Sequence, residues 1–211
     1  MAGEVIRWFP LDRVRELEAA IASELRSTRQ ARRRDAIAVA LGLHGLRVGE
    51  VCRAETKHFF AAGHTLDVPE FKRGRGRKIP LHDSVIVAIQ AELTGRTRTS
   101  PFLLASGTGA KLQRRQPQLM ATLIFDRLLG PHHCLSYHSL RHTFAMRLYA
   151  ETKDLFLVQR YLGHRSVKNT EVYARSLASI PDSCMVKIAM GGGPLAVTPG
   201  RLPGTQLKLF S

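Results

Sequence analysis

The densest run of chemically capable side chains is Tyr137-His138-Ser139-Leu140-Arg141-His142-Thr143-Phe144-Ala145. On a helix His138, Arg141 and His142 lie three or four residues apart and share a face, while Leu140, Phe144 and Leu148 form the apolar stripe. Two histidines four apart suggest a zinc pair of the HExxH kind. Position 139 is Ser, however, so the general-base Glu is missing and no metal site is expected. Taken alone, the segment also reads as a solvated basic face. Twenty-three residues after Arg141 stands His164, in Leu162-Gly163-His164-Arg165-Ser166, where Gly163 suits a helix end and leaves His164 exposed in the turn. Tyr173 follows nine residues later. Upstream, residues 43–51 set Arg47 just inside a helix start, with Glu50 one turn on. Between these lies 71–81, a β-turn with Lys72 at its mouth.

Two arginines and a tyrosine suit phosphodiester chemistry. Cutting such a bond builds negative charge on the non-bridging oxygens of a pentavalent phosphorane. Arg47 and Arg141 offer planar, permanently charged forks that clamp those oxygens without a metal. Tyr173 supplies a phenolic nucleophile of unperturbed pKa about 10, reactive only in an electropositive site or beside a base. Glu50 is placed to orient Arg47 through a helical ion pair or cap.

The order Arg47, Lys72, His138-x-x-Arg141, Gly163-His164, Tyr173 resembles the catalytic domain of the tyrosine recombinase, or phage integrase, family. The matching stretches are Gly45-Leu-Arg-x-x-Glu50, Lys72-x-x-x-x-Arg77-x-Ile-Pro-Leu81, His138-x-Leu-Arg-His-Thr-Phe-Ala145 and Leu162-Gly-His-x-Ser166. The resemblance spans residues 10–175. It implies a helical catalytic domain and a site-specific DNA recombinase or integrase of a mobile genetic element. Such an enzyme cleaves and rejoins duplex DNA through a covalent 3′-phosphotyrosyl intermediate, with no metal, ATP or other cofactor. On that resemblance His138 accepts or relays the tyrosine's proton, His164 donates a hydrogen bond to the scissile phosphate, and Lys72 protonates the leaving 5′-hydroxyl. Lys78 lies in the same loop as Lys72, and counting back from Ile79-Pro80-Leu81 favours Lys72. Two rival readings of the same residues are a type IB-like topoisomerase and a non-catalytic DNA-binding relative.

The elements that must position these residues are legible from periodicity. Residues 11–26 repeat apolar side chains at helical spacing, 35–43 form a second helix, and a third starts near Val48. From 57 to 81, short β-prone pieces broken by Gly63, Pro69, Gly74 and Gly76 predict a small antiparallel sheet. Helices resume at 82–94, 116–129, 138–152 and 154–162. The fold expected is α+β, mainly α-helical. Residues 1–185 are assigned to the catalytic domain. The Gly/Pro-rich 186–211 is read as an arm, either a disordered tail or, as the resemblance implies, a segment docking on a neighbouring protomer. The pattern starts within about ten residues of Met1, so the separate N-terminal clamping domain of many relatives is expected to be missing.

Composition narrows the partner. Lys and Arg number 32 against 17 Asp and Glu, a net +15 in 211 residues, so a polyanion is the first partner class. The 44% hydrophobic content supports a real core and excludes a disordered basic tail. No run reaches the roughly 18 apolar residues of a spanning helix, and residues 1–30 lack a signal-peptide core, so no membrane partner is expected. Cys52, Cys134 and Cys184 are odd in number and unpaired in spacing, which fits a cytoplasmic protein, nucleoid-associated when on DNA. Further basic residues assigned to the duplex are Arg32, Arg33 and Arg34, then Arg73, Arg75, Arg77 and Lys78 on the hairpin, and Arg114 and Arg115. Aromatics make up 7% and do not interleave with the basic runs, so duplex rather than single-stranded DNA is expected. The family implies a dimer or tetramer assembled on DNA, with accessory DNA-bending proteins.

Overall fold

A helix buried on every side organises the molecule. In α2, Gln30–Leu43, every side chain from Ala36 to Leu41 has no exposed surface. Small and aliphatic residues in sequence make this possible, because neighbours can approach from all directions. The structure is a computed structural model that describes residues 6–70 and 75–178. A 3-10 turn over Leu11–Arg13 leads into α1, Val14–Leu25, which packs on α2 through Val14, Leu17, Ile21 and Leu25. The helix α4, Asp83–Thr94, and α5, Arg115–Leu129, cover two further sides of α2. Burying a Leu or Ile side chain contributes about 1.5–3 kcal/mol, so this continuous cluster carries most of the stability.

The short α3, Val48–Val51, is followed by a three-stranded antiparallel sheet in the order β1 (Phe59–Phe60), β2 (Thr65–Val68), β3 (Arg77–Pro80). Leu66 pairs with Ile79 and Val68 with Arg77, so these four share the inward face, while Lys78 pairs with Asp67 on the outer one. Pro80 is tolerated because β3 is an edge strand. Lys72, Arg73, Cys184 and the segment 186–211 lie outside the described residues.

Three helices form a second, smaller layer: α6, Tyr137–Thr152; α7, Leu155–Leu162; and α8, Lys168–Ala178. Phe144, Met146, Leu148, Val158, Leu162 and Tyr173 make up its core. Asp154 caps α7 by accepting from the N–H groups of Phe156 and Leu157, and Gly163 ends it with φ +65°. On α6, Leu140 belongs to the large core and Phe144 to the small one. Arg141 therefore stands at the seam between them.

The expected class, mainly helical with a small antiparallel sheet, is the one observed. The second helix begins five residues earlier than read, at Gln30 rather than Asp35. Arginine is a good helix former, and the run's charges find acidic partners in Glu24 of α1, Glu92 of α4 and the adjacent Asp35.

Candidate active site

Glu50 is the hub of the site. It lies in the one-turn helix α3, where its carboxylate accepts the backbone N–H of Arg47 at 2.8 Å. Three guanidinium groups surround it: Arg47 Nη1 at 3.1 Å, Arg77 Nη2 at 2.8 Å and Arg141 Nη1 at 3.8 Å. Burial alone would raise this carboxyl. The hydrogen bonds and charge of Arg77, with the charges of Arg141, hold it down at about 2, so it stays ionised at neutral pH. One fixed anion thus holds three cations that would otherwise repel one another.

Arg141 is 1% exposed. Its Nη1 donates to the carbonyl of Gly45 at 2.5 Å and its Nη2 to that of Leu162 at 2.7 Å. The guanidinium is therefore tied to the ends of α2 and α7, while each terminal nitrogen carries a second N–H. Burial and the charges of Arg47 and Arg77 lower its pKa to about 9, which still leaves it charged at pH 7. Gly45, at φ +88°, is what presents its carbonyl here. A Cβ at that position would stand 2.8 Å from Phe144 Cδ1. Arg47 is the N-cap of α3 rather than its first helical residue, and over a third of its side chain is exposed.

His164 corrects the sequence reading, because the turn after α7 does not expose it. The residue is 9% exposed, its Nδ1 lies 3.0 Å from Thr170 Oγ1, and Gln159 Nε2 donates to its carbonyl. Burial, then the charges of Arg141, Arg47 and Arg77, push its pKa down to about 3, so the ring is neutral. The backbone just before it is tied to the cluster, because Leu162 accepts from Arg141 and Gly163 accepts from Arg75 N–H.

Tyr173, on α8, is 2% exposed. Its ring packs in the small core, and its hydroxyl lies 3.0 Å from Nδ1 of His142. His138 is exposed one turn earlier on α6, its ring edge-to-face with that of His142 at 4.5 Å between centroids. The three α6 residues read as one solvated face are thus graded by depth: His138 outside, His142 intermediate, Arg141 buried.

Two basic residues assigned to the duplex are turned inward. Arg77, 5% exposed at its side chain, pairs with Glu50 and donates through Nε to the carbonyl of Tyr161. It faces the core because period-2 alternation aligns it with Ile79. Arg34 is buried, held by Asp35 and the carbonyl of Ala105. Arg33 donates to the carbonyls of Ser27 and Ala91, and Arg32 pairs with Glu24 at α1. Arg75, Lys78, Arg114 and Arg115 are exposed. Arg114 lies beside Gly49, two residues from Arg47. Lys78, on the outer sheet face against Asp67, points away from Glu50. Arg77 and His142 are the site residues that motif reading missed in these roles. Alternation along β3 signalled the first, and α6 periodicity alone did not separate His142 from His138.

Among the described residues, no three His, Cys, Asp or Glu side chains are grouped to hold a metal ion, and no helix is long and apolar enough to cross a membrane. The sequence profile of the phage integrase family matches residues 7–179. Tyrosine recombinase XerC of Pseudomonas entomophila is 31% identical over 160 residues, covering 72% of this chain and 52% of that protein. Tyrosine recombinase XerA of Pyrococcus furiosus is 29% identical over 136 residues, covering 64% and 47%. The chain therefore spans about half the length of the curated relatives it matches. Among solved structures, XerH site-specific recombinase bound to a palindromic difH substrate superposes with a TM-score of 0.73 at 18% identity, over 89% of this chain and 53% of that one. XerA recombinase gives 0.67 at 19% identity, over 92% and 66%.

Proposed function

The chain belongs to the phage integrase family, and on that premise we propose that it is a site-specific recombinase that breaks and rejoins duplex DNA through Tyr173. The observation that carries this reading is the shared anchoring of Arg47, Arg77 and Arg141 on Glu50, with Tyr173 held by His142, the residue next to Arg141 on α6. Such a cluster is built to receive a compact, highly charged anion. Arg47 and Arg141 clamp the non-bridging oxygens of the scissile phosphate, in a pocket whose low dielectric strengthens them. The Tyr173 oxygen attacks phosphorus, the bond to the 5′-oxygen breaks, and the 3′-phosphate stays on the tyrosine. With the Thr170 hydroxyl donating to Nδ1 of the neutral ring, His164 carries its proton on Nε2 and offers it to the phosphate. Lys72 gives the leaving 5′-oxygen its proton. A 5′-hydroxyl from another strand reverses the steps, so neither ATP nor another cofactor is consumed.

Arg75, Lys78, Arg114 and Arg115 hold the surrounding backbone, with Arg32 at the margin. Segment 186–211 serves as an arm between protomers of a dimer or tetramer on DNA. The XerH neighbour is described on a difH substrate, which agrees with duplex DNA as the partner.

The test is incubation with duplexes carrying the inverted repeats that flank the gene and a 5′-bridging phosphorothiolate at the candidate cleavage position. A covalent protein–DNA adduct on denaturing gels, absent in Tyr173→Phe, is expected. No adduct on any such duplex would leave only a DNA-binding role. Relaxation of supercoiled plasmid lacking the repeats would instead mark a topoisomerase.

A further inference from the structure

The family resemblance implies His138 as the nucleophile's partner, yet the geometry points to its neighbour one turn on. His142 Nδ1 lies 3.0 Å from the Tyr173 hydroxyl, and the two rings stand 5.8 Å apart. His138, exposed, touches His142 edge-to-face. Arg141 and His142 are consecutive on α6, so helical geometry aims them about 100° apart. The first side chain goes to Glu50, Gly45 and Leu162, the second to α8. One turn of helix thereby fixes both the phosphate clamp and the attacking oxygen.

We propose that His142 is a positioning residue for the nucleophile, accepting the hydrogen bond of the Tyr173 hydroxyl at Nδ1 and holding that oxygen in register with the Arg141 guanidinium. The proposal rests on Tyr173 being the nucleophile. The ring suits this task because it stays neutral: burial, then the charges of His138 and Arg141, lower its pKa to about 3. A neutral ring with its proton on Nε2 keeps a lone pair on Nδ1 for the hydroxyl. Rotation about χ1 or a shift of α8 displaces the phenol oxygen, and a displacement of about 1 Å at a reacting atom costs on the order of 100-fold in rate.

The experiment compares single-turnover adduct formation at saturating duplex for wild type, His142→Ala, His142→Asn and His142→Gln. The polar group of Asn reaches where Nδ1 stands, and that of Gln reaches one carbon further, where Nε2 stands. H142A is expected to slow adduct formation by about 10- to 100-fold while duplex affinity is unchanged. H142N is expected to restore most of the rate and H142Q not to. H142A reacting at the wild-type rate, or faster, would overturn the proposal, as would equal rescue by Asn and Gln. Should H142A fail to fold by circular dichroism, the Asn–Gln contrast decides. Adduct formation by wild type and its loss in Tyr173→Phe establish the nucleophile independently. A wild type without adduct sinks the functional reading, whereas a normal H142A sinks only this one.

Discussion

Residue by residue, the site depends on one carboxylate. Glu50 lies against Arg47, Arg77 and Arg141, and replacing it with Gln keeps the shape while removing the charge. Three guanidinium groups then share a pocket without a counter-ion. Breaking a buried pair from one side costs about 3–5 kcal/mol, so Glu50→Gln is expected to lower the melting temperature and abolish adduct formation. A variant that melts and reacts like wild type would contradict the hub. The carboxyl's pKa is depressed, so its contribution to stability is complete above the unfolded value near 4.5. That contribution is lost as pH falls from there towards about 2. Types and spacing singled out Arg47, Glu50, Arg141, His164 and Tyr173, and the structure sets Arg47 and Arg141 on Glu50. Side-chain direction was not legible in a basic turn, where Arg77 and Lys78 look alike until pairing with Val68 and Asp67 sends them to opposite faces.

At the scale of elements, the hairpin and the turn bearing His164 are tied together by hydrogen bonds and an ion pair. Arg75 N–H donates to the carbonyl of Gly163, Arg77 Nε to that of Tyr161, and Arg165 pairs with Glu70. Gly163 permits this approach. It adopts φ +65°, and a Cβ there would meet the Arg75 carbonyl oxygen at 2.8 Å. Gly163→Ala is expected to cost about 1–2 kcal/mol from the left-handed backbone alone, and to slow adduct formation far more than that loss of stability explains. Parallel melting curves and single-turnover rates check this; a rate that follows stability alone would uncouple the two elements. Periodicity gave α4 to within a residue, the end of α1 to within a residue and the start of α3 at Val48. The starts of α1 and α2 were less legible, because a 3-10 turn over Leu11–Arg13 precedes the first and ion pairs to neighbouring segments extend the second.

For the whole molecule, charge and burial act on the same histidines. His44, 2% exposed, bridges the carbonyl of Ala40 and the N–H of His82, and burial lowers its pKa to about 4. His142 and His164 are lowered to about 3. Between these values and the ordinary 6.5, the unfolded chain binds more protons than the folded one, so stability rises with pH across this window. Each histidine contributes at most about 1.4 kcal/mol per pH unit. Melting temperature is therefore expected to climb from pH 5 to 6.5 and then level. A flat profile would contradict neutral burial of these rings. The excess of +15 made a polyanionic partner legible before any fold was known. What composition does not resolve is that Arg34 and Arg77 turn their charge towards partners inside the protein. The most direct test of the central claim is mass spectrometry of the protein–DNA adduct after nuclease and protease digestion. A nucleotide remnant esterified to the peptide containing Tyr173 is the expected result. A remnant on any other residue, or an adduct that persists in Tyr173→Phe, would contradict it.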